Sequence, residues 1–140
     1  MTAAPPALPR LAVSAAIFRD GQLLLVRRAR QPALGLFTLP GGRLEFGETV
    51  EQAVHREIAE ETALTIDVVG LAGWLDVLPA ATGGQSQFVI LPFAARWVAG
   101  EVTLNDELAE SRWLDPDGIG ELPLTKGLIP IVAAARRLIG

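Results

Sequence analysis

The stretch from Gly41 to Leu64, GGRLEFGETVEQAVHREIAEETAL, constrains this chain more than any other. Thr49 and Gln52 have the spacing at which a hydroxyl and a side-chain amide satisfy the free N–H groups of a helix start. Val50, Ala53, Val54 and Ile58 recur at steps of three and four, the period of a helix that buries one face. The spacing predicts a helix from Thr49 to Thr62 or Ala63. Along it Glu57, Glu60 and Glu61 stand at i, i+3 and i+4 and share an arc of roughly 100°. Arg56 is the nearby positive charge. Like charges so placed repel by about 0.2–0.5 kcal/mol per pair. A solvated acidic face is the plain explanation of such a cluster. Two features oppose it. The carboxylates flank the apolar stripe of Val54 and Ile58, and glycines directly precede the helix, where backbone groups can approach a ligand closely. Oxygen ligands without His or Cys suit Mg²⁺, Mn²⁺ or Ca²⁺ rather than Zn²⁺, and Mg²⁺ is commonly shared between carboxylates and substrate phosphates. The residues point to a divalent-metal site for a phosphorylated ligand.

Composition narrows the rest. A chain of 140 residues is the size of one domain, expected over residues 11–140 behind a flexible, proline-containing tail at residues 1–10. With 50% hydrophobic and 20% charged residues it is not a disordered sequence. A formal charge of −4 argues against a nucleic-acid polymer as partner. The absence of cysteine removes disulfides, thiolate metal sites and thiol nucleophiles. No apolar run approaches the ~20 residues of a membrane helix. Leu11 to Phe18 follows Arg10 like a short signal sequence but runs into the turn at Asp20-Gly21, so it reads as a strand. A cytoplasmic location is expected.

Leu11–Phe18 and Gln22–Arg28 flank Asp20-Gly21 as a hairpin would. Leu36–Leu39, Leu64–Val77, Gln87–Val98 and Arg112–Leu114 read as further strands, with a loop from Pro40 to Gly47. Thr125–Ile139 reads as a closing helix, although Pro130 allows a start as late as Ile129. Strands, helix, strands, helix is the order of an α/β chain with a mixed sheet between two helices.

Gly42, Glu48, Arg56, Glu57, Ile58, Glu60, Glu61 and Leu64 stand in register with the Nudix box. That motif is a Gly, five residues, a Glu, seven residues, then Arg-Glu-apolar-any-Glu-Glu-any-Gly-apolar. The chain therefore resembles the Nudix hydrolases. The resemblance implies an α/β/α sandwich and Mg²⁺- or Mn²⁺-dependent hydrolysis of the pyrophosphate bond in a nucleoside diphosphate linked to a group X. It implies that Glu57, Glu60 and Glu61 bind the ions, with Gly41 as a further ligand through its carbonyl. Glu57, Glu60 and Arg56 would then take part in catalysis, while Glu48 and Gly42 support the site and Glu48 pairs with Arg56. It also implies a general base beyond the box, for which Glu107 is the candidate because Asn105-Asp106-Glu107 precedes Arg112-Trp113-Leu114. Arg28 is a candidate phosphate contact, with surface solubility as the alternative. Ala63 stands where the family has Gly, so a left-handed cap is expected there at a cost of roughly 1 kcal/mol.

Among substrates, Pro79 favours an ADP-ribose-like nucleotide sugar, since it lies near where that branch carries a proline. The absence of Tyr counts against the diadenosine-polyphosphate branch. A nucleoside triphosphate, oxidised or not, is the alternative, and a non-catalytic nucleotide-binding regulator is the rival of another class. A homodimer is left open. His55, the sole histidine, is expected on the outer side of the helix, and Trp74, Trp97 and Trp113 in core or edge packing.

Overall fold

Asp20 and Gly21 both take positive φ, 50° and 78°, which is the backbone a two-residue hairpin turn requires. They join strand β1 (Arg10–Arg19) to the antiparallel strand β2 (Gln22–Arg28), with Arg19 opposite Gln22. The computed structural model describes residues 7–140, so most of the expected N-terminal tail, residues 1–6, lies outside the described residues. Strands β3 (Phe37–Thr38) and β4 (Gly41–Arg43) precede helix α1 (Val50–Thr62). Strands β5 (Thr65–Leu71), β6 (Leu75–Val77), β7 (Phe88–Ala99) and β8 (Leu108–Leu114) follow, and helix α2 (Leu128–Ile139) closes the chain.

Strand β1 is the centre of the sheet. It runs parallel to β7 from Arg10–Phe88 to Phe18–Arg96, while β2 and β4 share its other edge. The sheet is mixed, since β5 and β6 pair antiparallel with β7 and β8 pairs antiparallel with β2. Both faces of the central strands are covered, so their residues alternate between two cores rather than between core and water. Val13, Ala15, Ile17, Leu24 and Val26 face Ala53, Val54 and Ile58 of α1. Ala16, Phe18, Leu23 and Leu25 face Leu128, Ile131, Val132 and Ala135 of α2. This is the α/β/α arrangement that the order of elements implied.

Three expectations are corrected and a fourth is narrowed within its stated range. The strand at the N-terminus begins at Arg10, inside the expected tail. The loop from Pro40 contains a strand, because Gly41–Arg43 pairs with Ala12–Ser14 of β1. The expected strand Leu64–Val77 is two strands, and the break leaves Trp74 in a connecting segment with 65% of its surface exposed rather than packed. The last helix starts at Leu128 after Gly127, so Pro130 is its third residue, where a missing N–H costs no intrahelical bond. Trp97 and Trp113 do pack partly buried against the core under α1, and His55 is exposed.

Helix α1 is closed at both ends by local chemistry. The Thr49 hydroxyl accepts from the Gln52 N–H, and the Gln52 side chain accepts from the Thr49 N–H, at 3.1 and 2.9 Å. At the other end Ala63 takes φ 64° and ψ 15°, and its N–H donates to Ala59 O. An alanine in this left-handed conformation is strained by roughly 1 kcal/mol or more, and glycine is not. Ala63→Gly is expected to raise the melting temperature by about 2–4 °C, read by thermal denaturation. An unchanged or lower value would mean that the extra chain entropy of glycine outweighs the relieved strain.

Candidate active site

The site is built where β4 runs between β1 and α1. Gly42 lies against Glu57: a Cβ added at Gly42 would occupy the space of the Glu57 carboxylate. Gly41 lies against β1: a Cβ there would overlap Val13 O and the Cα of Ser14. Two glycines in succession thus let a strand pass close to a backbone on one side and a carboxylate on the other.

Arg56 ties these parts together. Its guanidinium donates to both oxygens of Glu48, at 3.0 and 2.6 Å, and to Arg43 O at 2.9 Å. Its Nη1 also donates to Glu57 at 2.8 Å and to Glu60 at 3.3 Å. The last residue of β4, the loop before α1 and the helix itself are joined by one side chain. The Arg56 hydrogen bonds hold Glu48 below the usual carboxylate range, and Glu48 in turn raises the Arg56 pKa.

Glu61 is the unusual group. The residue is only 5% exposed, and its side chain accepts one hydrogen bond, from the Gly41 N–H at 3.3 Å. No cation partner shares it among the described residues. Burial, with the negative charges of Glu57 and Glu107 adding to it, pushes its pKa up to about 8, against the Gly41 N–H and the charge of Arg28. Burial also raises Glu57, where Arg56 opposes it. Glu60, next in sequence to Glu61, points outward with 59% of its side chain exposed.

Each residue singled out in the sequence can now be placed. Glu57, Glu61, Gly41 and Gly42 meet where β4 crosses α1. Glu107, just before β8, is close enough for its charge to act on both Glu57 and Glu61, and Arg28, at the end of β2, on Glu61. Arg28 donates through Nε to Pro32 O at 2.6 Å. Gly41 contributes its N–H to this arrangement. Glu60 is held to one side by Arg56. As a result, no three His, Cys, Asp or Glu side chains among the described residues are drawn together as a ready-made metal site. Arg56 donates to Glu57 and Glu60, and the Gly41 N–H to Glu61. The donor set nevertheless fits a divalent ion. It offers only oxygens, and one buried carboxylate has no counter-charge of its own.

Thr103, which the sequence did not single out, and Asn105, noted there only as the start of the Glu107 loop, also belong to the surroundings. Asn105 and Thr103 donate from their backbone N–H groups to the Glu61 and Thr62 carbonyls at the end of α1. The signal was present in an Asn that precedes an acidic pair, a residue suited to a side-chain-to-backbone turn. Two surface depressions, of about 480 and 470 Å³, contain none of these residues. One lies between α2 and residues 116–120, and the other beside the Asp20-Gly21 turn.

Two outcomes follow from this geometry. Gly41→Ala meets backbone, which cannot yield, so it should lower the melting temperature markedly. Gly42→Ala meets the end of a flexible side chain, so it should fold but displace Glu57. Equal destabilisation by both would show that β4 is free to shift. The second outcome concerns pH. Without metal, folded Glu61 keeps its proton up to about pH 8, while the unfolded chain releases it near the ordinary value of 4.5. Stability from this group is therefore full below the lower value and lost as pH rises towards the higher. Glu61→Gln should thus gain in melting temperature over the metal-free wild type as pH rises from 5 to 8. A gap that does not change with pH would place Glu61 in contact with water.

The NUDIX domain family profile matches residues 8–135. The chain is 36% identical to the "ADP-ribose pyrophosphatase" of Methanocaldococcus jannaschii over 114 residues, which are 81% of this chain and 66% of that protein. It is 37% identical to a "MutT-like protein" of Streptomyces ambofaciens over 120 residues, 85% of this chain and 72% of that one. The chain thus spans just under two thirds of the first of these relatives. A MutT NUDIX hydrolase from Burkholderia pseudomallei superposes with a TM-score of 0.81 at 32% identity, covering 91% of this chain and 98% of that chain. With the profile matched across residues 8–135, the chain belongs to the NUDIX domain family.

Proposed function

We propose that this protein is a divalent-metal-dependent pyrophosphohydrolase, cleaving the pyrophosphate bond of a nucleoside diphosphate linked to X, with ADP-ribose or a related nucleotide sugar as the favoured substrate. One observation carries this reading. A buried carboxylate, Glu61, without a counter-charge faces a strand of two glycines, with Glu57 and Glu107 beside it. A solvated acidic face does not bury its members. The ADP-ribose preference draws support from the methanogen relative's name and from Pro79, which opens a short 3₁₀ helix at Pro79–Thr82. The similarity to a MutT-like protein favours the second reading, a nucleoside triphosphate as substrate. A non-catalytic nucleotide-binding role fits less well, since every box carboxylate is present.

In this reading Glu57, Glu60 and Glu61 hold Mg²⁺ or Mn²⁺, with the Gly41 carbonyl as a further ligand. The ion supplies charge neutralisation for the diphosphate and a more acidic attacking water. The chain's own residues do the rest. Arg56 fixes the helix against β4 through Glu48 and the Arg43 carbonyl. Glu107 is exposed and takes the proton from the attacking water. Arg28, already close to Glu61, meets a phosphate oxygen. Positioning and charge stabilisation account for most of the acceleration.

The test is product release from a panel of nucleoside diphosphate derivatives and triphosphates, with Mg²⁺, Mn²⁺ or EDTA. EDTA should abolish turnover, and Mg²⁺ should raise the melting temperature by mass action on the folded state. Glu61→Gln should lose activity and most of that metal-dependent stabilisation. Glu107→Gln should lower kcat by about 10²- to 10⁴-fold while leaving the stabilisation by Mg²⁺ largely intact. Full turnover in EDTA would overturn the reading.

A further inference from the structure

The loop that carries Glu107 is exposed, yet it is attached to the two elements that hold the other candidate residues. Its backbone reaches α1, where the Asn105 N–H donates to Glu61 O at 3.3 Å and the Thr103 N–H to Thr62 O at 3.0 Å. It also reaches the end of β2, where the Ala29 N–H donates to Glu107 O at 2.9 Å, one residue after Arg28. Within the loop, the Asn105 Oδ1 accepts from the Glu107 N–H at 3.1 Å, and the Leu108 N–H approaches Asn105 O at 3.4 Å. Asn105 is therefore bonded in two directions. Its N–H is bound to the residue that carries the buried carboxylate, and its side chain to the residue that carries the candidate base. The Arg30–Asp106 pair, at 2.9 Å, also spans this loop, but its side chains are 57% and 84% exposed. Exposed pairs of that kind contribute little.

We infer that Asn105 is a positioning residue: its side-chain oxygen holds the Glu107 backbone at a set distance from Glu61, so that the proton acceptor stays aligned with the carboxylates of α1. This rests on the proposed role of Glu107. The physical reason is that Glu107 makes no side-chain hydrogen bond among the described residues, so its aim comes from its backbone. Displacement of a reacting group by about 1 Å can cost on the order of 10²-fold in rate. A purely structural role for Asn105 would appear as lost stability with kcat unaltered.

The experiment compares Asn105→Leu, which keeps the branched shape but cannot accept a hydrogen bond, with Asn105→Asp, which keeps the acceptor. Steady-state kinetics are measured on whichever diphosphate substrate the panel identifies, across pH, with Mn²⁺ affinity measured separately without substrate. Asn105→Leu should lower kcat by about 10-fold or more, with KM and Mn²⁺ affinity within about threefold of wild type. Asn105→Asp should recover most of the loss. The double variant with Glu107→Gln should be no slower than Glu107→Gln alone, because a misplaced base and an absent base cost the same thing. Asp106→Ala, which breaks only the exposed pair, should behave as wild type. Should Asn105→Leu fail to fold, Asn105→Ser, which keeps a shorter acceptor, should show an intermediate kcat at unchanged Mn²⁺ affinity. A wild-type kcat in Asn105→Leu, or losses that multiply in the double variant, would overturn the positioning role alone. A wild-type kcat in Glu107→Gln would overturn both this inference and the reading of Glu107 as base, while metal dependence would still stand.

Discussion

The close passage of β4 between β1 and α1 is the constraint on which the rest of the site depends. A strand of ordinary residues cannot run there, because side chains would fill the space of Val13 O on one side and of the Glu57 carboxylate on the other. Once the glycines permit the approach, the Gly41 N–H comes within reach of Glu61, and Arg43 O within reach of Arg56. Arg56 then joins strand, loop and helix through donors fixed in a planar fork, which a lysine could not reproduce. The glycines and the arginine are thus two halves of one device, one removing bulk and the other supplying the bonds.

This device has an electrostatic consequence. Packing α1 onto β4 and β1 buries Glu61 but leaves Glu60 at the surface, although the two are consecutive. The charged form of the buried group is unfavourable, relieved only in part by the Gly41 N–H and the charge of Arg28, and its raised pKa expresses that cost. Arg56 meanwhile compensates Glu57 and part of Glu60. Glu61 is therefore left with the Gly41 N–H alone, while Glu57 and Glu60 share Arg56. Such an arrangement costs stability and is retained where a site needs it.

The scaffold around the site shows none of this tension. Strands β1 and β2 alternate between two apolar cores, the box helix is capped at its start by Thr49 and Gln52, and the hairpin turn has the backbone its residues favour. Local preference and tertiary packing agree there, which is what allows the site to depart from them. Two alanines among the described residues take the left-handed backbone, Ala33 and Ala63, and Ala63 closes the same helix that carries the carboxylates.

Sequence alone determined the features that depend on near neighbours in the chain. The hairpin at Asp20-Gly21, the capping box at Thr49, the left-handed end at Ala63 and the acidic arc of α1 are all set by residues a few positions apart. Periodicity and backbone preference act over that range, so they are readable without a partner. Tertiary structure alone decided what depends on distant partners. It turned Gly41–Arg43 into a strand by pairing it with β1, broke the segment around Trp74, buried Glu61 while exposing Glu60, and brought Asn105 and Glu107 to the end of α1. Helical spacing assigns carboxylates to a face but not to a depth, because depth is set by the strand packed against that face. That strand lies close to the helix because its glycines permit the approach, and residues twenty positions apart, Gly41 and Glu61, then meet across a hydrogen bond.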